Sequence, residues 1–414
     1  MSTNDRQYEL VLLGATGYTG KLCAEHITQC LPTDLRWAVA GRNHKKLAAV
    51  VEELKSLNPN REPPAIEIAE LNEEDLDSLA KKTQLLVTSV GPYMFYGEPA
   101  VKACANNGTH YVDCTGETPW VRDMIQKYHD TAKANGTIMI PQCGIDSVPA
   151  DITAWVLVEC LRRKLSVATA EVILSLHVMN TRPSGGTLLT VFSLFDNYSL
   201  KSIGSALKPF SLSPVQPDSP ARPMPWTTKL LGIRTVPDLG VLTDNPQAAP
   251  DTTIVHRSWG LYDGGRYYGP RFRFSAWMRA RNAFTGVLWH FALSIGMTLL
   301  VLPPVRWLLK KLVFQPGDGP SKEASKHDYL EYRAIGVADE EQGRRAGAEF
   351  KYQGNGYYLT GLLMAEAAMV ILRGGENQAR KMGGGIVTPA TLGEEYVERL
   401  LGAKVGISAR LIDE

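Results

Sequence analysis

The stretch YELVLLGATGYTGKLCAEHI, residues 8–27, constrains the fold more than any other. Tyr8 to Leu13 is a short, almost continuously apolar run of the kind that forms a parallel strand buried on both faces. The run stops at Gly14, and from Lys21 the pattern turns helical, with Leu22, Cys23 and His26/Ile27 recurring on one face. Gly14, Gly17 and Gly20 therefore occupy a strand-to-helix turn, where a βαβ unit needs a tight bend and close backbone approach. Amides at the start of such a helix are ready donors for a pyrophosphate. The spacing G-x-x-G-x-x-G departs from the commoner G-x-G-x-x-G, and glycines also serve ordinary turns. The strand before them and the helix after them make dinucleotide binding the reading here. Thr16 and Tyr18 lie inside the turn and join the glycines as candidate cofactor contacts.

The next strand selects the cofactor. LRWAVAGRNHKKL is apolar from Leu35 to Ala40 and ends at Gly41-Arg42-Asn43. An NAD-preferring site places Asp or Glu here to hold the ribose hydroxyls. This chain offers Arg42, with Lys45 and Lys46 beyond it, and a guanidinium suits a ribose 2′-phosphate. The rival reading is a solvated basic helix start. NADP is the expected cofactor. A third strand, Leu85 to Val90, puts Ser89, Val90 and Gly91 at its carboxyl end, where ligands lie in open α/β sheets. Pro92 then imposes extended backbone, and Tyr93 and Tyr96 either reach the nicotinamide half or pack on the domain face. HYVDCTGE and GTIMIPQCGIDSVPADI read as two further strands; Gly144, a candidate cofactor contact, and Asp146 and Ser147 fall on the loop after the second.

With 414 residues the chain is too long for one ordinary core and comfortable for two domains. A net charge of +1 gives no global field toward nucleic acid. The six cysteines show no C-x-x-C spacing and no cysteine–histidine cluster, so neither a metal site nor a disulfide framework is expected. Reduced thiols in the cytoplasm are the expected state. The polar start MSTNDRQYE does not read as a secretory signal.

Four segments, GATGYTG, AGRN, VGPYMFYGEPAVKACANNGTHYVDCTGE and CGIDSVPAD, together resemble the saccharopine dehydrogenase-like oxidoreductases. That family includes lipid-associated animal proteins and trans-acting enoyl reductases of bacterial polyketide-lipid assembly. Weaker matches continue at SGGTLLT, QPGDGPS, YYLTGLLMAEAAMVIL and GGGIVTPATLGEEYVERL. The resemblance implies an α/β fold: a Rossmann-type doubly wound parallel sheet and a second α+β substrate domain with a mixed sheet. A C-terminal helical return then packs on the Rossmann core. The corresponding divisions are 1–155, 156–352 and 353–414. AEVILSLHVM and YGPRFRFSAWM alternate like strands, and TGLLMAEAAMVILRG has helical spacing with a glycine stop. KPFSLSPVQPDSPARPMPW reads as a surface loop.

No tyrosine is followed four residues later by lysine, so the ketone-reducing pair of short-chain dehydrogenases is absent. Tyr93, Asp146 and Ser147 are the candidate catalytic residues, although Asp146 fits better as a cap for the helix near Pro149-Ala150. Saccharopine itself would need an arginine-rich pocket. Arg257, Arg266, Arg271, Arg273, Arg279 and Arg281 cluster in sequence, but the alternation of Arg271 and Arg273 with Phe272 and Phe274 suits a half-exposed strand. The expected activity is NADPH-dependent reduction of a C=C bond, enoyl or enone, in a lipophilic polyketide, isoprenoid or lipid-like substrate, free or carrier-bound. Imine reduction and a non-catalytic NADPH-binding protein of a lipid surface are the alternatives.

Residues 283–305 form a run of 23 without formal charge, close to the roughly 20 that span a bilayer. Arg279 and Arg281 precede it, Arg306, Lys310 and Lys311 follow, and Trp289 and Trp307 suit an interface. A span would part the C-terminal return from the Rossmann core, which disfavours it. Peripheral contact with a membrane or lipid droplet, a buried helix walling a substrate cavity, and a homodimer interface all stay open.

Overall fold

The computed structural model describes residues 6–180, 192–218, 224–312, 325 and 327–412. The segments SGGTLLT and QPGDGPS and part of the proline-rich loop fall outside these residues. Strands β1 (Tyr8–Leu13), β2 (Trp37–Gly41), β3 (Ala65–Ile68), β4 (Thr83–Thr88), β5 (His110–Asp113) and β6 (Ile138–Ile140) make a parallel sheet in the order 3-2-1-4-5-6. β1 lies between β2 and β4 with helices on both faces, which is why it is apolar nearly throughout. Helix Tyr18–Cys30 starts three residues before the helical pattern of the sequence becomes visible. It stops where Leu31 turns extended ahead of Pro32, as a residue before proline prefers. Asn43 starts the next helix, His44–Leu57, by accepting the Lys46 amide at 3.0 Å.

The second sheet is mixed. It contains β7 (Thr169–Met179), β8 (Ile233–Val236), β9 (Gly240–Asp244), β10 (Arg273–Arg279), β11 (Tyr329–Ala338) and β12 (Arg345–Gln353). β10 runs parallel to β7, and β11 antiparallel to it. Helix Val148–Leu165 crosses residue 155 without a break and packs on this second sheet, where Gly336 admits the Leu157 side chain. The helix therefore straddles the division read from the sequence at that residue.

Residues beyond 353 do more than return as helices. β13 (Gly385–Ile386) pairs with β6 at the edge of the parallel sheet, and β14 (Gly406–Leu411) pairs with β12 in the mixed one. Helix Gly356–Arg373 is buried along nearly its whole length against helix Tyr18–Cys30. Gly361 makes that contact, since a Cβ there would lie 2.7 Å from the Cys23 backbone. Deeper in the same contact His26 meets Glu366 at 2.8 Å, and Arg399 donates to the other carboxylate oxygen at 2.7 Å.

Two sequence expectations change. The proline-rich loop is anchored rather than superficial: Phe210 stacks on His256 at 3.8 Å, and Leu212 is buried. The apolar run forms helices Ala283–Val301 and Pro303–Leu312 on the outside of the molecule, with Gly286 the one buried residue of the first. Among the described residues it walls no internal cavity. Ala283–Val301 is long and apolar enough to cross a membrane.

Burial alone would lower the His26 pKa, but the Cys30 and Glu366 partners raise it to about 9. A raised folded pKa means this stabilisation is complete below the free-histidine range near pH 6.5 and is lost as pH climbs through 9. Glu366→Gln is expected to lower stability by ~3–5 kcal/mol near neutrality, as for a broken buried pair. It should also flatten the decline between these pH values, checked by denaturant unfolding at a series of pH.

Candidate active site

The parallel sheet reverses its strand order between β1 and β4, and the glycine turn lies in that crevice. Gly14 has φ +92°, and a Cβ there would fall 2.7 Å from Val90 Cγ2 and 3.0 Å from Ser89 Oγ. At Gly20 a Cβ would collide with the Gly14 carbonyl at 2.1 Å, so the helix can approach the strand only as glycine. Gly17 is extended and donates its amide to the Gly14 carbonyl at 2.9 Å. Ser89 Oγ donates to the same carbonyl at 3.4 Å. Thr16 and Gly17 are exposed at the mouth. Tyr18 is half-buried, accepts a hydrogen bond from Asn355 at 2.9 Å and sets its ring edge-on to Tyr357. The amides of the first helical turn after Gly17 have no carbonyl within the helix to bond.

Arg42 stands just past β2, exposed, with no hydrogen bond or ion pair to a described residue. Val90, Gly91 and Pro92 line the next turn, half-buried, exposed and half-buried in order. The glycine cradle and the uncommitted guanidinium beyond β2 together fit a dinucleotide bearing a 2′-phosphate. Gly144 sits behind this surface. It is buried, and a Cβ there would press on Cys114 at 3.0 Å and Thr360 at 3.2 Å, so its small size serves packing.

Tyr93 corrects the expectation that it reaches toward the nicotinamide. Its ring is buried on Trp120, and its hydroxyl donates to the Thr88 carbonyl at 3.0 Å. Phe95 and Tyr96 are the exposed aromatics of this turn. The turn is held by Glu117, which accepts the amides of Tyr93 and Met94 at 2.8 and 2.6 Å. Burial pushes the Glu117 carboxyl up to about 7. Only the acid ending CTGE hinted at this residue in the sequence.

Asp146 is not a helix cap. Ser147 occupies the cap position of helix Val148–Leu165, and no side chain caps that end. Instead Asp146 Oδ1 accepts from Gln247 Nε2 of the other domain at 2.8 Å, at the carboxyl ends of β5 and β6. Burial raises its pKa against the lowering effect of Gln247. Asp251, one turn into helix Ala248–Leu261, is buried with Oδ2 unpartnered; burial first, then the charges of Asp146 and Asp151, push it well above the usual range. Asp151 accepts from Ser258 Oγ and from the Ala390 amide, and burial pushes it up to about 7. The Ser147 hydroxyl is buried without a hydrogen-bond partner among the described residues. Gln247 and Asp251 escaped the sequence reading, because Gln247 meets Asp146 across 101 residues.

The sequence cluster of arginines disperses. Arg257 is buried and donates to the carbonyls of Leu212 and Ile386. Arg266 pairs with Asp263, Arg271 with Asp339, and Arg279 bonds His177. Phe272, just before β10, and Phe274 within it are both buried, on the side that the alternation predicted. These side chains do not converge on a polycarboxylate pocket.

A family model described as the saccharopine dehydrogenase NADP-binding domain matches residues 10–140. The chain is 31% identical to a trans-acting enoyl reductase of Mycobacterium tuberculosis over 98% of each chain. It is 30% identical to a trans-acting enoyl reductase of Mycobacterium ulcerans over 99% of each. Saccharopine dehydrogenase (L-Glu forming) from Saccharomyces cerevisiae, solved in apo form, shares the two-domain fold at a TM-score of 0.56 and 10% identity, over 98% of this chain and 100% of its own. Fold, cofactor cradle and relatives define an NADP-dependent oxidoreductase. The chain belongs to the saccharopine dehydrogenase-like oxidoreductase family, together with the trans-acting enoyl reductases.

Loss of charge-assisted hydrogen bonds worth ~1.5–3 kcal/mol should weaken NADPH binding by about 10- to 150-fold in Arg42→Ala. NADH affinity should hold, and tryptophan fluorescence titration with both nucleotides measures the difference.

Proposed function

We propose that the chain reduces a polarised C=C bond, enoyl or enone, in a lipophilic polyketide, isoprenoid or lipid-like substrate. The observation that carries this reading is the Asp146–Gln247 pair, a half-buried carboxyl at the strand ends where the reactive half of the cofactor falls in this fold. NADPH, when bound, supplies a hydride. Arg42 and the Gly14–Gly20 turn hold the nucleotide, by charge at one end and by backbone approach at the other. Asp146, whose pKa burial raises, is the proton donor for the carbon next to the activating carbonyl. Gln247 fixes Oδ1, which leaves Oδ2 on the Gly116 side as the oxygen that delivers it. The unpaired Ser147 hydroxyl is a donor for the substrate carbonyl. Names of the relatives support the enoyl choice, and the missing Tyr-x-x-x-Lys pair argues against ketone reduction.

Asp146→Asn is expected to lower kcat by about 10²-fold, at the low end for a general acid, with NADPH affinity intact. Because the acid works protonated, wild-type kcat should fall as pH rises through the raised Asp146 pKa, and the variant should lose that fall. Single-turnover NADPH oxidation with a long-chain 2-enoyl thioester reads both effects. Turnover of cyclic imines without any turnover of enoyl substrates would overturn this reading in favour of C=N reduction.

A further inference from the structure

Helices Ala283–Val301 and Pro303–Leu312 form an apolar excursion fastened to the body by few contacts. Gly286 lies on Ile233, where a Cβ would come within 2.9 Å. Trp289 donates to the Asp244 carbonyl at 2.9 Å, and His290 bonds the Asp244 carboxylate. At the far end Arg306 is buried. It donates to Asp196 at 2.9 Å and to the carbonyls of Leu300 and Val301, clamping the end of the long helix. The outward side carries Phe284 (77% exposed), Leu288 (61%) and Ile295 (59%), then Trp307 (61%) and Leu308 after the proline break. Trp226 (73%) and Leu230 extend this face from the short helix that ends at Gly232, which packs on His290.

We propose that this face docks on the headgroup–acyl boundary of one leaflet of an anionic phospholipid bilayer. Charge favours that occupant over a second copy of the chain. Residues 283–312 contain no Asp or Glu. Arg281 and Lys311 are exposed on either side, and Lys229 lies between Trp226 and Leu230. Anionic headgroups complement these cations, whereas a two-fold pairing of the face would oppose like with like. Trp307, with the Lys311 ammonium 3.6 Å from its ring, has the apolar body and polar edge of an interfacial anchor. Topology sets the depth. β10 runs parallel and β11 antiparallel to β7 between them, so the chain leaves and re-enters at one end of the sheet. Both ends of the excursion thus stay on one side, and the 19-residue helix, about 28 Å long at 1.5 Å per residue, lies along the leaflet.

The docking face adjoins the candidate site. Its anchor Asp244 is three residues from Gln247, a reach of at most ~10 Å, and Gln247 bonds Asp146. A leaflet-dissolved substrate would enter beside the proton donor; this delivery rests on the reductase reading, and the docking does not.

Co-sedimentation of the full chain with sucrose-loaded vesicles tests it, comparing phosphatidylcholine alone with a mixture about one third phosphatidylserine. Wild type should bind the anionic vesicles at least about tenfold more tightly, and added salt should erase the difference. Ile295→Glu and Leu288→Glu should each lose binding by about tenfold or more while keeping the wild-type melting temperature, since both side chains are exposed. Arg281→Gln with Lys311→Gln should retain weak binding without lipid-charge preference. Absence of vesicle binding by folded wild type overturns the proposal. So does a stable wild-type dimer, seen by light scattering, that Ile295→Glu converts to monomer without any change in lipid binding. NADPH oxidation with a water-soluble short-chain enoyl substrate is read separately, so failure of docking and failure of the reductase reading give different results.

Discussion

Helix Tyr18–Cys30 is gripped from two sides, and the placement of everything else depends on that grip. On one side Gly20 lets it settle against the Gly14 carbonyl, which shapes the nucleotide crevice. On the other, Gly361 lets helix Gly356–Arg373 reach the Cys23 backbone, with His26, Glu366 and Arg399 locked alongside. Each contact is too close for a side chain. The C-terminal segment therefore cannot drift from the nucleotide domain, and it delivers β13 to one sheet and β14 to the other. The two domains share a core cluster, and their relative position, on which Asp146 and Gln247 depend, follows from it.

That position creates the electrostatics of the site. Asp146 and Asp151 come from the turn and helix after β6, and Asp251 from a helix of the second domain. Burial raises the pKa of all three carboxyls, and at Asp251 the charges of Asp146 and Asp151 add to the effect. The same seam runs outward through Asp244 to the apolar helices, so Gln247 and the exposed apolar surface share one structural segment.

Much of the nucleotide domain was legible because its signals are local. β1 coincides with its apolar run, Tyr8 to Leu13, and the glycine turn, Arg42 and Ser89-Val90-Gly91 stand where a strand end requires them. β3 was not read: it is an edge strand of four residues, AIEI, with little burial to demand an apolar pattern. β13 was illegible for a stronger reason, since two residues carry no periodicity and pair across more than two hundred positions with β6. Tyr93 shows the limit from the other direction. Its place just after β4 was legible, but a backbone carbonyl and Trp120 decide where the ring points.

By itself the sequence determined the first strand, the glycine turn, the cationic NADP signal and the existence of a long uncharged run, all consequences of side-chain chemistry within a few residues of chain. Tertiary structure alone decided that Asp146 bonds Gln247 instead of capping a helix, that the arginines scatter onto separate carbonyls and carboxylates, and that the apolar run lies outside. Capping, pairing and exposure depend on which distant surfaces close over a residue. Asp146 carries the same local sequence in either outcome, and only the arrival of the second domain removes its water and supplies its partner.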